Sequence, residues 1–143
     1  MNVRLILVED DRTLRGVLYE WSRRHGYEVR EFSSGEDVCS HHETCQCDGD
    51  EVCADALLCD LKLPGMSCLD LVEKLLYRGC RIPRVALMSG WWTDFEWDRA
   101  KGLGLETFRK PTDFSALLQW LGGAADERPD RRQLRDHFHA DHT

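Results

Sequence analysis

Short apolar runs alternate five times with helix signals along most of this chain, and the alternation limits the folds that it can adopt. The apolar runs are residues 3–8, 27–32, 56–59, 85–88 and 107–109. Strands that alternate with helices form parallel sheets, because each helix carries the chain back to start the next strand in the same direction. The pattern predicts an α/β fold, a doubly wound five-stranded parallel sheet with helices on both faces.

The 143 residues allow one hydrophobic core of ordinary size. We expect one domain over residues 1–123, with an insert rich in cysteine and histidine at about 39–55. The apolar pattern fades over residues 124–143, so we expect this polar tail either to dock one weak helical turn or to be disordered.

The composition of the chain limits which partners and which cellular compartment we expect. The formal net charge of −7 disfavours direct binding to nucleic acid, because acidic surfaces repel phosphates. No stretch reaches the roughly 20 apolar residues that span a bilayer, and residues 1–8 run into a strand instead of a cleavable leader. We therefore expect a cytoplasmic protein without membrane insertion. In a reducing compartment its seven cysteines are expected to be free thiols or metal ligands.

Acidic, hydroxyl and amine side chains stand at the ends of four predicted strands. Glu9 and Asp10 follow the first strand, Asp60 the third, Ser89 the fourth and Lys110 the fifth. Because the carboxyl ends of parallel strands meet at one edge of the sheet, we expect these side chains to share one pocket. Each residue alone has an ordinary structural explanation, such as a favourable charge at a helix N-terminus, but their joint placement favours a site.

The residue types in this pocket suit phosphoryl transfer. Carboxylates that converge on one point repel each other, and a divalent cation such as Mg²⁺ relieves the repulsion. One carboxylate oxygen could then attack phosphorus in line. Lys110 supplies a compact positive charge for one phosphate oxygen, and the Ser89 hydroxyl can donate a hydrogen bond to another. The product of such a reaction is an aspartyl phosphate.

Four segments around these residues resemble the receiver domains of bacterial two-component response regulators, the CheY-like superfamily. The segments are Leu-Val-Glu-Asp-Asp at 7–11, Asp-Leu-Lys-Leu-Pro-Gly-Met at 60–66, Leu-Met-Ser-Gly at 87–90 and Arg-Lys-Pro at 109–111. The resemblance covers roughly residues 3–122, and the four segments together are more specific than any single short motif. It implies a flavodoxin-like sheet of the kind that the alternation predicts.

The resemblance implies a role for each acid of the pocket. Asp60 is identified by it as the phosphoacceptor. Asp10, Asp60 and the backbone carbonyl of Lys62 are implied ligands of Mg²⁺, with Glu9 holding the metal through water.

The resemblance also implies a conformational switch, and the chain departs from the family there. Ser89 takes the position of the family's switch Ser or Thr and Lys110 that of its invariant lysine, followed by Pro111 with an implied cis bond. Thr107 stands where many members carry Tyr or Phe, and Phe108 belongs to the other face of the sheet. We therefore expect signal output to depend on Ser89 and the loop that follows it.

That loop contains Trp91 and Trp92, which either pack internally or contact a partner, because aromatic residues are enriched at interfaces. Family analogy places Lys62 and Trp91 beside the phosphoryl group. We expect both side chains to hinder the hydrolytic water and so to lengthen the phosphorylated state.

As a whole, the resemblance implies a stand-alone receiver in a two-component phosphorelay. It would accept phosphate from the phosphohistidine of a sensor histidine kinase or a phosphotransfer protein, and it would signal by contact with a downstream protein. It would not be an enzyme in the usual sense, because it catalyses only its own phosphorylation and dephosphorylation.

The insert contains six residues with soft-metal ligand atoms, more than the four that Zn²⁺ requires. They are Cys39, His41, His42, Cys45, Cys47 and Cys53. The spacing Cys-x5-Cys-x-Cys-x5-Cys lacks the Cys-x2-Cys pairs of common zinc folds, so structural zinc, reactive thiols and free thiols all stay open. The remaining three cysteines, Cys59, Cys68 and Cys80, are expected to be small core residues.

Three other functions compete with the receiver hypothesis. A metal- or redox-sensing binding module on a receiver scaffold would use the insert. A haloacid-dehalogenase-like phosphatase would need an acid at the position of Lys62. A flavodoxin-like cofactor module would need a phosphate-binding loop after the first strand, where residues 9–11 are all acidic and would repel the phosphate.

Overall fold

The computed structural model describes residues 3–41, 47, 52–111 and 113–126, with the side chains of 124–126 left aside. Five strands alternate with five helices over these residues. The strands are β1 (Arg4–Val8), β2 (Glu28–Phe32), β3 (Ala56–Asp60), β4 (Arg84–Ser89) and β5 (Glu106–Arg109). The helices are α1 (Arg12–Arg24), α2 (Gly35–His41), α3 (Cys68–Tyr77), α4 (Asp94–Gly102) and α5 (Phe114–Asp126).

The strands form one parallel sheet in the order β2-β1-β3-β4-β5. β2 is added on one side of β1, whereas β3 and the later strands are added on the other side. This change of direction places a crevice at the carboxyl ends of β1 and β3, where the connecting segments leave in opposite directions. The predicted doubly wound five-stranded parallel sheet is confirmed.

Buried side chains cover both faces of the sheet. Alternate residues of β1 point to opposite faces, with Ile6 and Val8 packed in one apolar layer and Leu5 and Leu7 in the other. β3 is buried along its whole length. A central strand of a parallel sheet is covered on both sides, which explains why β3 is apolar throughout until its final residue, Asp60.

Side-chain caps define where three of the helices begin. Asp11, Ser67 and Thr93 each accept a hydrogen bond from the backbone N–H three residues later, at the starts of α1, α3 and α4. In α4 the Glu96 side chain also accepts a hydrogen bond from the backbone N–H of Thr93, which completes a capping box. The caps limit the length of the turns that follow β1, β3 and β4, and these turns carry the residues of the predicted pocket.

Cys59 and Cys68 form a disulfide between the end of β3 and the start of α3, with their Cα atoms 6.2 Å apart. Both residues are fully buried, as the sequence predicted, but the sequence also led us to expect free thiols. The turn after β3 folds back so that the N–H of Cys68 donates to the carbonyl of Leu61. The pairing depends on this turn, and the spacing of the two cysteines along the chain carries no signal for it.

Among the described residues, no helix is both long and apolar enough to cross a membrane. α5 continues to Asp126, a little beyond the predicted limit of the domain at residue 123. Residues 127–143 of the predicted tail lie outside the described residues, as do His42 and Cys45 of the insert.

Candidate functional site

Side chains from three strand ends meet at the carboxyl edge of the sheet. The Lys110 ammonium donates one hydrogen bond to Glu9 Oε1, at 2.8 Å, and one to Asp60 Oδ2, at 2.9 Å. Glu9 is completely buried and Asp60 nearly so, while Lys110 keeps partial access to solvent. The structure therefore brings together residues that are 50 and 101 positions apart in the chain.

Backbone hydrogen bonds hold these strand ends in register. The N–H of Glu9 donates to the Phe32 carbonyl, which extends the pairing of β1 with β2 by one residue. The N–H of Lys110 donates to the Ser89 carbonyl, which does the same for β5 and β4. The bond from Lys110 to Pro111 is cis, as the resemblance implied.

The electrostatic environments of the two buried acids differ. Burial raises the pKa of Glu9 to about 8, and the neighbouring Asp60 carboxyl adds to the rise, which Lys110 only partly offsets. Burial would also raise the pKa of Asp60, but hydrogen bonding to Glu9, Lys110 and the Lys62 N–H holds it below its ordinary value. Burial would lower the pKa of Lys110, yet its two carboxylate partners raise it. Without a metal, the pocket therefore keeps a proton on Glu9 at neutral pH and a negative charge on Asp60.

The acids of the pocket fit a hard divalent cation. Carboxylate oxygens of Glu9, Asp10 and Asp60 lie within 4.8 Å of one another. Glu9 Oε2 is a buried oxygen with no hydrogen-bond partner among the described residues. Asp10 is exposed, so the group of oxygens is open to solvent on one side. Mg²⁺ binds one or two carboxylates and keeps several of its waters, and this donor set suits it.

Lys62 lies beside Asp60 and points its side chain toward α4. Its backbone N–H donates to Asp60 Oδ1 at 3.1 Å. Its ammonium pairs with Glu96 Oε2 at 2.6 Å and lies 5.5 Å from the centroid of the Trp91 ring. Partial burial would raise the pKa of Glu96, but hydrogen bonds from Lys62 and Thr93 hold it below its ordinary value. The structure thus places Lys62 and Trp91 in contact near Asp60, and it adds Glu96, which the sequence did not suggest.

Ser89 is buried at the end of β4, and its hydroxyl is engaged by the loop that follows. The hydroxyl donates to the Trp91 carbonyl at 2.6 Å and accepts a hydrogen bond from the Trp91 N–H at 3.2 Å. Trp91 itself is 69% exposed. In this state the Ser89 hydroxyl fixes the conformation of the loop, and it must leave the Trp91 carbonyl to donate to another acceptor.

Thr107, at the expected switch position, and its neighbour Phe108 lie on opposite faces of the sheet. Phe108 packs on the ring of Trp120, with centroids 6.1 Å apart, in the apolar layer that also contains Leu5 and Leu7. Thr107 is partly buried and belongs to the opposite face. Phe108 is therefore on the face that the sequence predicted for it, away from the position of Thr107.

The structure assembles a different set of thiols from the one that the insert suggested. Cys47 and Cys53 come together with Cys80, a residue that the sequence analysis assigned to the core alone. Cys39 is buried in α2 and His41 Nδ1 donates to the Asp37 carbonyl, and neither residue belongs to a metal-binding group within the described ranges. No sequence signal pointed to Cys80, because 26 residues separate it from Cys53.

The comparisons with known proteins agree with the fold. The model of the response regulator receiver domain family matches residues 5–121. A comparison with curated proteins gives no significant match.

Solved receiver structures share this architecture. A response regulator receiver protein from Pseudomonas putida is 18% identical, with a TM-score of 0.73 over 86% of this chain and 98% of that chain. A CheY-like receiver domain protein from Methanospirillum hungatei is 21% identical, with a TM-score of 0.73 over 90% and 98%. The chemotaxis response regulator CheY4 of Vibrio cholerae is 16% identical, with a TM-score of 0.69 over 87% and 99%. At these identities the likeness shows the fold alone.

The family model covers the five strands, apart from Arg4 at the start of β1, and every residue of the pocket that Lys110 joins. The chain therefore belongs to the response regulator receiver domain family of two-component signalling.

Proposed function

We propose that the protein accepts a phosphoryl group on Asp60 from the phosphohistidine of a sensor histidine kinase or a phosphotransfer protein, and that Mg²⁺ supports the transfer. Membership of the receiver family supports partners of this class. The observation that carries the proposal is the position of Lys110, whose ammonium contacts both Glu9 and Asp60 across the strand ends. Lys110 is held by Glu9 and Asp60, and a third acid, Asp10, is open to solvent. This arrangement suits a phosphoryl group, which carries charge, better than it suits a neutral ligand.

In the transfer, an oxygen of Asp60 attacks phosphorus while the bond from phosphorus to the donor imidazole nitrogen breaks. The imidazole leaves with the electron pair of that bond. Asp60 is ionised for this step because its pKa lies below the ordinary value. Lys110 has three donors on a flexible stem, so it can follow an oxygen of the incoming group without losing Glu9.

Asp10, Asp60 and the backbone carbonyl of Lys62 are the proposed ligands of the cation, and Glu9 would hold it through a bound water. When bound, Mg²⁺ supplies positive charge that offsets the negative charge of the phosphoryl oxygens. The positive charge of a bound cation would favour loss of the proton from Glu9, because an opposite charge nearby lowers the pKa of a carboxyl group. The raised pKa of Glu9 therefore makes cation binding depend on pH.

We propose that the phosphorylated state is recognised by a downstream protein. Ser89 would turn from the Trp91 carbonyl to a phosphoryl oxygen, and the loop after β4 would lose one of the two bonds that fix it. Trp91 and Phe95, which are 69% and 74% exposed, lie in and just after that loop. Exposed aromatic side chains suit a protein–protein contact, and their position beside Ser89 would let it respond to phosphorylation.

The alternative is a metal- or redox-sensing module on a receiver scaffold. It would give the Asp60 pocket no function. The pocket keeps every group that phosphoryl transfer needs, including an ionised acceptor and a paired amine. This favours phosphoryl transfer as the main activity.

Incubation with phosphoramidate, a small donor with a phosphorus–nitrogen bond, tests the proposal. In the presence of Mg²⁺ the intact mass of the wild-type protein should rise by one phosphoryl group, and hydroxylamine should remove the gain. Asp60→Asn should gain nothing. Asp98→Asn is the matched control, since Asp98 is an exposed aspartate of α4 outside the pocket, and it should behave as the wild type.

Equal incorporation into the wild type and Asp60→Asn would exclude Asp60 as the acceptor. Incorporation that is unchanged after chelation of Mg²⁺ would contradict the metal requirement.

A further inference from the structure

Three cysteine thiols meet at the end of the sheet opposite to Asp60. The Sγ atoms of Cys47, Cys53 and Cys80 all lie within 4.8 Å of one another, and those of Cys53 and Cys80 are 3.6 Å apart. Cys53 precedes β3 and Cys80 precedes β4, so both stand at the amino ends of strands whose carboxyl ends form the pocket. The three thiols, which we call the thiol cluster, are therefore separate from the phosphoacceptor site.

Two members of the thiol cluster are held by anchored backbone. The Arg4 side chain donates to the Val52 carbonyl at 2.9 Å, and the Arg4 N–H donates to Asp55 Oδ2 at 2.9 Å, so the chain is fixed on both sides of Cys53. The N–H of Cys80 donates to a carbonyl of α3 at 2.9 Å, in the turn that closes this helix. These contacts set the distance between the two sulfurs before any ligand binds.

The third thiol is surrounded by hydrogen-bond donors. Cys47 Sγ accepts the backbone N–H of Cys53 and that of Arg81, each at 3.3 Å. Hydrogen bonds from the Cys53 and Cys80 thiols, together with these two N–H groups, hold the pKa of Cys47 well below its usual range despite its partial burial. The thiolate is the form of cysteine that binds metals.

The spacing of the sulfurs suits a shared soft cation. Two sulfurs that are each about 2.3 Å from a tetrahedral Zn²⁺ lie about 3.8 Å apart, close to the separation of Cys53 and Cys80. A disulfide would need a separation of about 2.05 Å. Simple packing of three small core residues does not explain why two backbone donors point at one sulfur. Cys47 and Cys53 are only partly buried, which gives an ion access to the thiol cluster.

We propose that Cys47, Cys53 and Cys80 supply three thiolate ligands to a site for a thiophilic divalent cation of the Zn²⁺ type. Thiolate ligands select such cations over Mg²⁺. The set differs from the one that the insert suggested, because it omits Cys39 and His41 and includes Cys80. A bound cation would join the end of the insert to the turn between α3 and β4.

Competition with a chromophoric zinc chelator tests the site in the full-length protein. The protein is purified without chelator, kept reduced, and held in excess Mg²⁺ so that the acidic pocket does not compete for Zn²⁺. The wild type should bind one Zn²⁺ more tightly than any other in the chain, and Cys47→Ser should weaken that binding by at least tenfold. Cys39→Ser is the matched control, since it makes the same chemical change outside the thiol cluster, and its affinity should equal that of the wild type.

A second readout does not depend on affinity. The wild type loaded with Co²⁺ should show absorption from thiolate-to-metal charge transfer, and Cys47→Ser and Cys53→Ser should reduce it while Cys39→Ser should not. These two cysteines are partly exposed, so their variants test the site without disturbing the buried Cys80. The proposal is overturned if Cys47→Ser binds Zn²⁺ as tightly as the wild type, or if Co²⁺ gives equal spectra in all four proteins. Neither result would affect the assignment of Asp60, which phosphoramidate tests separately.

Discussion

Lys62 Nζ lies 2.6 Å from Glu96 Oε2, and this ion pair connects the turn after β3 to the first turn of α4. The same ammonium lies 5.5 Å from the centroid of the Trp91 ring. Lys62 is thereby held between a helix and the loop that follows Ser89, two residues after Asp60, the proposed phosphoacceptor. The contact gives a structural basis for the expectation that Lys62 and Trp91 hinder the hydrolytic water.

Replacing Glu96 with Gln should shorten the lifetime of phosphorylated Asp60, because Lys62 would lose the partner that holds it in place. An exposed ion pair contributes up to about 1 kcal/mol, so we expect a change of no more than about fivefold. Lys62→Asn and Trp91→Ala, which remove the obstacles themselves, should shorten the lifetime at least as much. The decay is measured by intact mass after removal of the phosphodonor.

Glu73→Gln is the control for this series. Glu73 pairs with Arg99, also between α3 and α4, and does not contact Lys62. The lifetime of phosphorylated Asp60 in this variant should equal that in the wild type. A lifetime that is the same in Lys62→Asn, Trp91→Ala and the wild type would contradict the role assigned to these side chains.

Without a metal, the contribution of Glu9 to the free energy of unfolding should fall as the pH rises from about 5 to about 8. The pKa of Glu9 is raised from 4.5 to about 8 in the folded protein, so between these values the folded state binds more protons than the unfolded state. Stability is therefore lost as Glu9 ionises in its buried position. The lowered pKa of Asp60 acts in the opposite direction only at lower pH, but the lowered pKa of Cys47 does so within this window. The effect of Glu9 is therefore the difference between the wild type and Glu9→Gln.

Urea unfolding in the presence of chelator, followed across this pH range, measures the effect. Glu9→Gln should lack the loss of stability due to Glu9, because the amide does not titrate, so its stability relative to the wild type should increase with pH. Asp98→Asn should keep the slope of the wild type. Parallel profiles of the wild type and Glu9→Gln would show that Glu9 is ionised in the metal-free protein.

The affinity for Mg²⁺ should rise with pH by roughly tenfold per unit below about pH 8, since one proton leaves Glu9 as the cation binds. Asp10→Asn and Glu9→Gln should both weaken binding, but in different ways. Asp10→Asn removes a charged ligand that is exposed and should keep the pH dependence, whereas Glu9→Gln should abolish it. Tryptophan fluorescence titrated with Mg²⁺ at several pH values separates the two outcomes. Equal slopes in both variants would refute the linkage to Glu9.

Ser89→Ala should uncouple the loop from the phosphoryl group. The change leaves the Trp91 N–H without its hydroxyl partner, so the free energy of unfolding should fall by about 1 kcal/mol. The variant should still be phosphorylated on Asp60, but the accompanying change in tryptophan fluorescence should be lost. Thr107→Ala should keep the fluorescence change, because the switch is expected to act through Ser89. If instead Thr107→Ala loses the fluorescence change and Ser89→Ala keeps it, the switch would be assigned to β5.

The pocket around Asp60 was predictable because it depends on local patterns and one general rule. Apolar runs located the strands, and parallel strands place their carboxyl ends at one edge, so Glu9, Asp60 and Lys110 had to be neighbours. The exact contacts of Lys110 required the structure, but the meeting of the three residues did not. The orientation of Phe108 was predictable for the same reason, since side chains alternate along a strand.

The contacts that the sequence did not indicate all join segments whose relative position depends on turns and helix packing. Glu96 meets Lys62 because α4 packs beside the turn after β3, and Cys80 meets Cys53 because two turns end at the same edge of the sheet. Cys59 reaches Cys68 through the fold of a single turn. The periodicity of apolar residues in the sequence does not indicate such distances, because they follow from the path of the backbone between elements.

The sequence by itself thus determined the order of strands and helices along the chain, the burial of β3 and the edge of the sheet at which Asp60 lies. Only the tertiary structure decided that Glu9 holds a proton beside an ionised Asp60, since burial and the distance to Lys110 set both pKa values. The thiol cluster was likewise decided by tertiary structure. Hydrophobic patterning specifies elements and faces, whereas electrostatic and metal-binding properties depend on distances of a few ångströms across the completed fold.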